Sequence, residues 1–211
     1  MDRDTIFFAV TADVISSRAV RKREGLQKKL NYVCESINNK YKEFIAVKFS
    51  ITIGDEIQGL LKQNTPVFDI IRYIEEIIYP YQMRFGIGEG TISTGLNKTT
   101  FQMDGECFLN ARQSLENAKK EDRKIKMVLL DKDIESALDI ILLWLEENMK
   151  SWNELIYRRF FLYKKLGSIE KVAKKENVTK QSISKSLKRA RYDLVIKSEE
   201  VVNNLLSTRK G

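Results

Sequence analysis

Phe44-Ile45-Ala46-Val47-Lys48-Phe49-Ser50-Ile51-Thr52-Ile53-Gly54-Asp55-Glu56-Ile57-Gln58-Gly59-Leu60-Leu61 is the stretch that decides the fold. Two β-type apolar runs flank Gly54-Asp55-Glu56, and a tight Gly-Asp turn between strands is a hairpin signal. Upstream, Ile6-Phe7-Phe8-Ala9-Val10 is a continuous apolar run that ends in Thr11-Ala12-Asp13-Val14. Such a run suits a central strand buried on both faces. Between these strands Ser16-Ser17 introduces a helix, with Leu26, Leu30, Val33 and Ile37 at helical spacing. Downstream, Pro66 suits the first turn of a second helix. Its apolar face is Val67, Ile70, Ile71, Ile74, Ile77 and Ile78, and it ends near Pro80. A fourth strand follows over 83–88, a helix from about 105 to 120, and a fifth strand over 125–130. The order β-α-β-β-α-β-α-β predicts an α/β (α+β) domain, a ferredoxin-like split βαβ with one unit appended.

The 211 residues suit one large domain, or one medium and one small domain. With 43% hydrophobic and 31% charged residues, the chain has the composition of a globular protein rather than a disordered one. No apolar run is long enough to span a membrane. Met1-Asp2-Arg3-Asp4 leads into a short apolar run without a small-residue cleavage site, which predicts no secretory leader. Cys34 and Cys107 lie far apart, make no zinc-ligand pair, and fit a reducing cytoplasm. The chain has no histidine, which excludes histidine catalysis, histidine metal ligands and an imidazole switch. Any chemistry must use carboxylates, hydroxyls, amides or cations.

Charge is unevenly distributed. Residues 151–211 carry 15 basic and 6 acidic side chains, a net +9, whereas the other 150 residues carry 22 and 23. A nearly neutral body therefore precedes a cationic tail. This shift supports a domain change near residue 150 and an organisation into an α/β domain over 1–135 and a helical domain over 136–211. A cationic block attracts phosphate backbones or anionic membranes, and a solvated helical surface is the plainer alternative.

Within that tail, residues 168–191 read as a helix-turn-helix. Val172-Ala173 belongs to the first helix and Asn177 to the turn, where asparagine tolerates a left-handed conformation. Thr179 caps the second helix, and Val178, Ile183 and Leu187 are its apolar anchors. Lys180, Gln181, Ser182 and Ser184 fall on the N-terminal part of that helix, where side chains reach base edges in a major groove. Lys185, Lys188, Arg189 and Arg191 suit phosphate contacts. The preceding helix, with Trp152, Tyr157, Phe160, Phe161, Leu162 and Leu166, reads as core. This segment is in register with region four of sigma factors and with response-regulator DNA-binding domains, which implies a DNA partner. Glu176 stands where those families place an apolar residue. A helical protein-interaction module is the alternative.

Asp13 ends the first strand, and Asp55-Glu56 sits at the hairpin tip. In a split βαβ sheet these acids converge at one edge, where they repel unless a cation relieves them. Mg²⁺ is suited, since it takes a few carboxylates plus substrate phosphates. The alternative is a polar turn with solvated acids. Ala12-Asp13-Val14 and Thr52-Ile53-Gly54-Asp55 resemble the two metal-ligand motifs of class III nucleotide cyclases. Gly86-Ile87-Gly88-Glu89-Gly90 resembles their next core strand, and Asp104-Gly105-Glu106-Cys107-Phe108-Leu109-Asn110-Ala111-Arg112 their glycine-led helix start. The resemblance implies a palm-like domain with Mg²⁺ or Mn²⁺ on Asp13 and Asp55, a nucleotide ligand, and a site built at a homodimer interface. It makes Asp13, Asp55, Glu56 and Arg112 the catalytic candidates. The sequence departs from the cyclases at Ile51, their base-contacting lysine position. It departs again at Leu109, their asparagine position, with Asn110 and Arg112 each one residue late.

Asp13-Val14-Ile15-Ser16-Ser17-Arg18, Ile53-Gly54-Asp55-Glu56-Ile57-Gln58-Gly59-Leu60-Leu61, Arg84-Phe85-Gly86-Ile87-Gly88 and Asp104-Gly105 resemble the SatD family over nearly the whole chain. This implies the two-domain plan and a bacterial cytoplasmic setting, and it supplies no reaction. Arg18 and Gln58 recur in these motifs and, with Asn110, are candidates to bind a polar or anionic ligand. Three readings follow: a DNA-binding transcription regulator with a nucleotide- or metal-binding domain, a Mg²⁺-dependent nucleotidyl transferase or cyclase, and a non-catalytic partner-binding protein.

Overall fold

The computed structural model describes residues 5–20 and 23–207. Met1-Asp2-Arg3-Asp4, used above in reading the leader, lies outside the described residues. The elements are β1 (Phe7–Val14), α1 (Arg23–Lys40), β2 (Ile45–Ile51), β3 (Ile57–Lys62), α2 (Val67–Ile78), β4 (Met83–Gly90), α3 (Glu106–Lys120), β5 (Ile125–Val128), α4 (Lys132–Lys150), α5 (Glu154–Leu166), α6 (Ile169–Glu176), α7 (Lys180–Ala190) and α8 (Tyr192–Ser207). Short 3₁₀ turns lie at Ser17–Ala19 and Thr100–Gln102. The described residues divide into two compact units, 5–20 and 23–142 with 202–207, and 143–201. Among the described residues no helix is long and apolar enough to cross a membrane.

The first unit is a five-stranded mixed sheet in the order β2-β3-β1-β4-β5. β1 is central and antiparallel to both neighbours, with Thr11 opposite Gln58 and Asp13 opposite Arg84. β5 joins β4 in parallel, with Ile87 opposite Met127. The continuous apolar run of β1 is explained by its position, since Phe8, Ala9, Val10 and Ala12 are all buried. On one face Phe7 and Ala9 pack with Val47, Leu60, Cys107, Phe108 and Ala111. Helix α3 covers this face, while α1 and α2 pack on each other.

Three local features differ from the sequence expectation. The helix expected at Ser16-Ser17 is a short 3₁₀ turn, Ser17–Ala19, entered from a left-handed Ser16 (φ 56°), and the described part of α1 runs Arg23–Lys40. β2 stops at Ile51, and Ile53 is exposed in the turn. β5 stops at Val128, because the next two amides turn to carboxylates: Leu129 N–H donates to Glu135 at 2.6 Å and Leu130 N–H to Glu89 at 3.0 Å.

The glycines of β4 set how closely α3 can approach. A Cβ on Gly86 would stand 2.3 Å from the Ala111 carbonyl oxygen, and one on Gly88 would stand 2.2 Å from the Ala111 nitrogen. No side chain fits there, so the helix backbone rests directly on the strand. Ser114 Oγ donates to the Ile87 carbonyl at 2.8 Å and ties the two elements together.

The second unit is helical. Val172, Ala173, Ile183 and Leu187 form its buried centre, with Leu162, Tyr163, Leu166, Ile169 and Tyr192 packed around them. Phe160 and Phe161 are buried in an aromatic cluster; Phe160 touches Trp152 at 4.7 Å and Tyr192 at 5.2 Å between ring centres. Each short helix has a side-chain cap. Asn153, Ser168 and Thr179 accept from the backbone N–H of Ile156, Lys171 and Ser182. Asn177 ends α6 in the left-handed conformation (φ 53°), as expected for its place in the turn. Val178 differs from the expectation. Its position straight after that turn leaves it exposed, and its N–H rather than its side chain makes the anchor, donating to Ala173 at 3.0 Å.

Candidate functional site

The hairpin folds against the end of β1. Gly54 turns with φ 62°, Thr52 N–H donates to the Glu56 carbonyl at 2.9 Å, and Gln27 of α1 donates to the Gly54 carbonyl at 2.7 Å. The hairpin thereby carries Asp55 to β1, where its Oδ2 accepts from Val14 N–H at 3.2 Å. Asp55 thus lies against the residue next to Asp13. Gln58 lies on the same part of the sheet, donating to the buried Thr11 hydroxyl at 3.0 Å.

Asp13 projects on the face that α3 covers. Its Oδ2 is 3.1 Å from Lys119 Nζ, in the last turn of α3. Its Oδ1 is buried and has no hydrogen-bond partner. Lys119 also reaches Glu116 at 3.0 Å. Partial burial lowers the Lys119 pKa, but hydrogen bonds to Glu116 and Asp13 outweigh this and hold it above the ordinary lysine value. The ammonium therefore stays charged. Sequence reasoning missed Lys119, whose place near a helix C-terminus reads as ordinary dipole compensation.

The remaining acids and polar candidates separate. Glu56 accepts from the Thr52 hydroxyl at 3.0 Å and closes the hairpin. Asn110 donates to the Glu89 carbonyl at 2.8 Å, so its amide pins α3 to the end of β4. Arg112 is exposed on α3, one and two turns from Glu116 and Lys119 on the same side of the helix. Arg18 is exposed in the 3₁₀ turn after β1. Among the described residues no group of three or more Cys, Asp or Glu assembles as a metal cage. Asp13 and Asp55 can supply two carboxylates, and the orphaned Oδ1 suits a hard cation that brings its remaining oxygen ligands as water or phosphate.

In the second unit, α7 exposes Lys180, Gln181, Ser184, Lys185, Lys188 and Arg189, and Arg191 follows at its end. A groove of about 730 Å³ runs between this side and the start of α6, with Ser168, Glu170, Lys180, Gln181, Ser184 and Lys185 among its walls. Lys180 is 3.2 Å from Glu170, and both are well exposed. Ser182 differs from its neighbours, because its hydroxyl accepts from the Arg159 guanidinium at 3.0 Å and points into the unit. Helical periodicity places residue 182 on the inner side with Ser186, which also accepts from Arg159, at 2.8 Å. Arg159 was itself missed as a functional residue. Glu176 is its partner at 2.7 Å, which explains an acid at a position where an apolar residue is the norm.

The SatD family profile matches residues 7–206, spanning both units. The chain belongs to the SatD family. Among curated proteins none matches it. Among the solved structures similar to it are two of low identity. A bacterial light-regulated adenylyl cyclase shares 11% identity, with 58% of this chain and 75% of that one covered, at a TM-score of 0.44. A regulator of polyketide synthase expression from Bifidobacterium adolescentis shares 16% identity, with 96% and 86% covered, at a TM-score of 0.26. Membership of the SatD family therefore rests on the sequence profile, and the site on its own geometry.

Proposed function

We propose that this SatD protein is a cytoplasmic DNA-binding transcription regulator. In this reading α6 and α7 are a helix-turn-helix of the sigma region four type, and the ferredoxin-like, palm-type α/β domain binds a nucleotide with Mg²⁺ or Mn²⁺. The observation that carries the reading is the outer side of α7. Lys180, Gln181, Ser184, Lys185, Lys188 and Arg189 are exposed on one continuous side, and Ile183, Ser186, Leu187 and Ala190 are buried on the other. A helix with polar base-reading groups near its start and cations toward its end is suited to a major groove. Homodimers binding two half-sites are the natural assembly for such a module. The test is a fluorescence-anisotropy series with duplex genomic fragments at several salt concentrations. Affinity should fall steeply with salt, with a log–log slope of about −4 if four cations meet phosphates. No binding at the lowest salt would sink the reading.

A second reading is a Mg²⁺-dependent nucleotidyl transferase or cyclase-like enzyme. It is favoured by the buried, unpartnered Oδ1 of Asp13, with the Asp55 carboxylate bound to the N–H of the next residue, Val14. Asp13 and Asp55 would hold the ion, which would supply charge for phosphoryl oxygens, and Arg112 or Arg18 would contact phosphates. Ile51 and the engaged amide of Asn110 are unfavourable to cyclisation of the familiar kind. Pyrophosphate release from nucleoside triphosphates, abolished by Asp13→Ala, checks it. Release that persists in Asp13→Ala with Asp55→Ala would remove the assignment.

A further inference from the structure

We infer that Lys119 is a built-in competitor for a divalent cation at Asp13, so that an ion can enter only as the ammonium leaves. The inference rests on the reading of Asp13 and Asp55 as a cation site. Lys119 Nζ is 3.1 Å from Asp13 Oδ2, so the charge of this carboxylate is already countered. The counter-ion is incomplete, because Oδ1 remains buried without any donor. Buried carboxylate oxygens without partners are costly, and a single ammonium reaching one oxygen leaves that cost in place. A divalent ion binding Oδ1 at about 2.1 Å would bring two charges to the same carboxylate. It would stand only a few ångströms from the ammonium, and the two cations repel.

Lys119 has somewhere to go. Its side chain is 37% exposed, and Glu116, more than half exposed, lies 3.0 Å from Nζ. On leaving Asp13 the ammonium keeps an ionic partner one turn away on the same helix. Glu116 is therefore the seat for the displaced lysine. A phosphate arriving with the ion would offer the same ammonium a second partner, so ion and polyphosphate should reinforce one another.

The experiment is a titration of the full chain with Mn²⁺, read by the electron paramagnetic resonance signal of free ion. Lys119→Met should bind about tenfold tighter than wild type, the effect of removing one competing charge in partly solvated surroundings. Lys119→Gln, which keeps a polar side chain, should show the same gain. Glu116→Gln should bind more weakly than wild type, and Asp13→Asn should not bind. Equal affinity of wild type and both Lys119 variants would overturn the competitor role and leave the cation site standing. Absence of binding in every protein would overturn the cation site and the competitor together. Far-UV circular dichroism on each variant separates lost binding from lost fold.

Discussion

Arg159 Nε lies 2.7 Å from Glu176 Oε2, and both side chains are almost wholly buried. The guanidinium also donates to Ser182 and Ser186 on α7, at 3.0 and 2.8 Å. One arginine on α5 thus fastens the end of α6 and the inner side of α7. Arg158 adds an outer contact to Glu176 at 2.9 Å. A buried pair of this kind offers little net gain over apolar packing but is severe to break, because the survivor is left charged and unpaired.

Glu176→Ala should therefore destabilise the helical unit by about 3 kcal/mol, the range for stripping one partner from a buried pair. Thermal unfolding followed by far-UV circular dichroism checks this. Loss of less than about 0.5 kcal/mol, the scale of a surface pair, would show that water reaches Arg159 freely.

The same pair sets an acid limit. Burial raises the Glu176 carboxyl pKa, but hydrogen bonds from Arg159 and Arg158 override it and hold the group below its ordinary value of 4.5. A lowered folded pKa means that the unfolded chain binds the proton more readily. The stabilisation is complete above pH 4.5 and is lost as pH falls through the lower folded value. Urea midpoints between pH 6 and 3 should fall less steeply for Glu176→Gln than for wild type, in roughly the window set by that group.

Ser182 and Ser184 separate structure from recognition. Ser182→Ala removes an acceptor from the buried Arg159 and should cost about 1 kcal/mol of stability. Ser184→Ala, on the exposed side, should leave the melting temperature unchanged and weaken binding to duplex DNA. Anisotropy and thermal melts on both variants give the contrast, and equal effects on DNA from the two would contradict it.

Gly88→Ala should lower stability of the α/β unit by about 2 kcal/mol or more, because the new Cβ meets helix backbone rather than a movable side chain. Gly54→Ala meets nothing within 4 Å and carries only the strain of φ 62°, about 1 kcal/mol. Chemical denaturation of the two variants should preserve this order.

Cys34 and Cys107 are both buried, and burial pushes each thiol up to about 12. Neither should react with a thiol reagent at pH 8 in the native protein, and both should react once it is unfolded. Rapid labelling of the folded chain would show that one of them opens to solvent.

Much of the fold was legible in sequence. The apolar continuity of β1, the Gly-Asp turn between β2 and β3, and the helical spacing of α2 are local signals that burial and backbone geometry enforce directly. The boundaries were less legible. The left-handed Ser16 opens a 3₁₀ turn where the sequence suggests an α-helix, and the carboxylates of Glu89 and Glu135 end β5 by taking its next amides. Both depend on partners or conformations that no residue pattern announces.

By itself, the sequence determined the mixed α/β plan, the cationic tail, the capping residue of α7, and the approach of Asp55 to the end of β1. These follow from periodicity, turn chemistry and charge, which act over a few residues or through one strand pairing. The tertiary structure alone decided which polar groups remain available. It paired Asp13 with Lys119 from a helix 106 positions along the chain, used Asn110 on Glu89, and turned Ser182 inward to Arg159. Charge neutralisation and hydrogen-bond satisfaction depend on what lies opposite in space, and that is settled only when α3 seats on its glycine strand and α5 closes against α7.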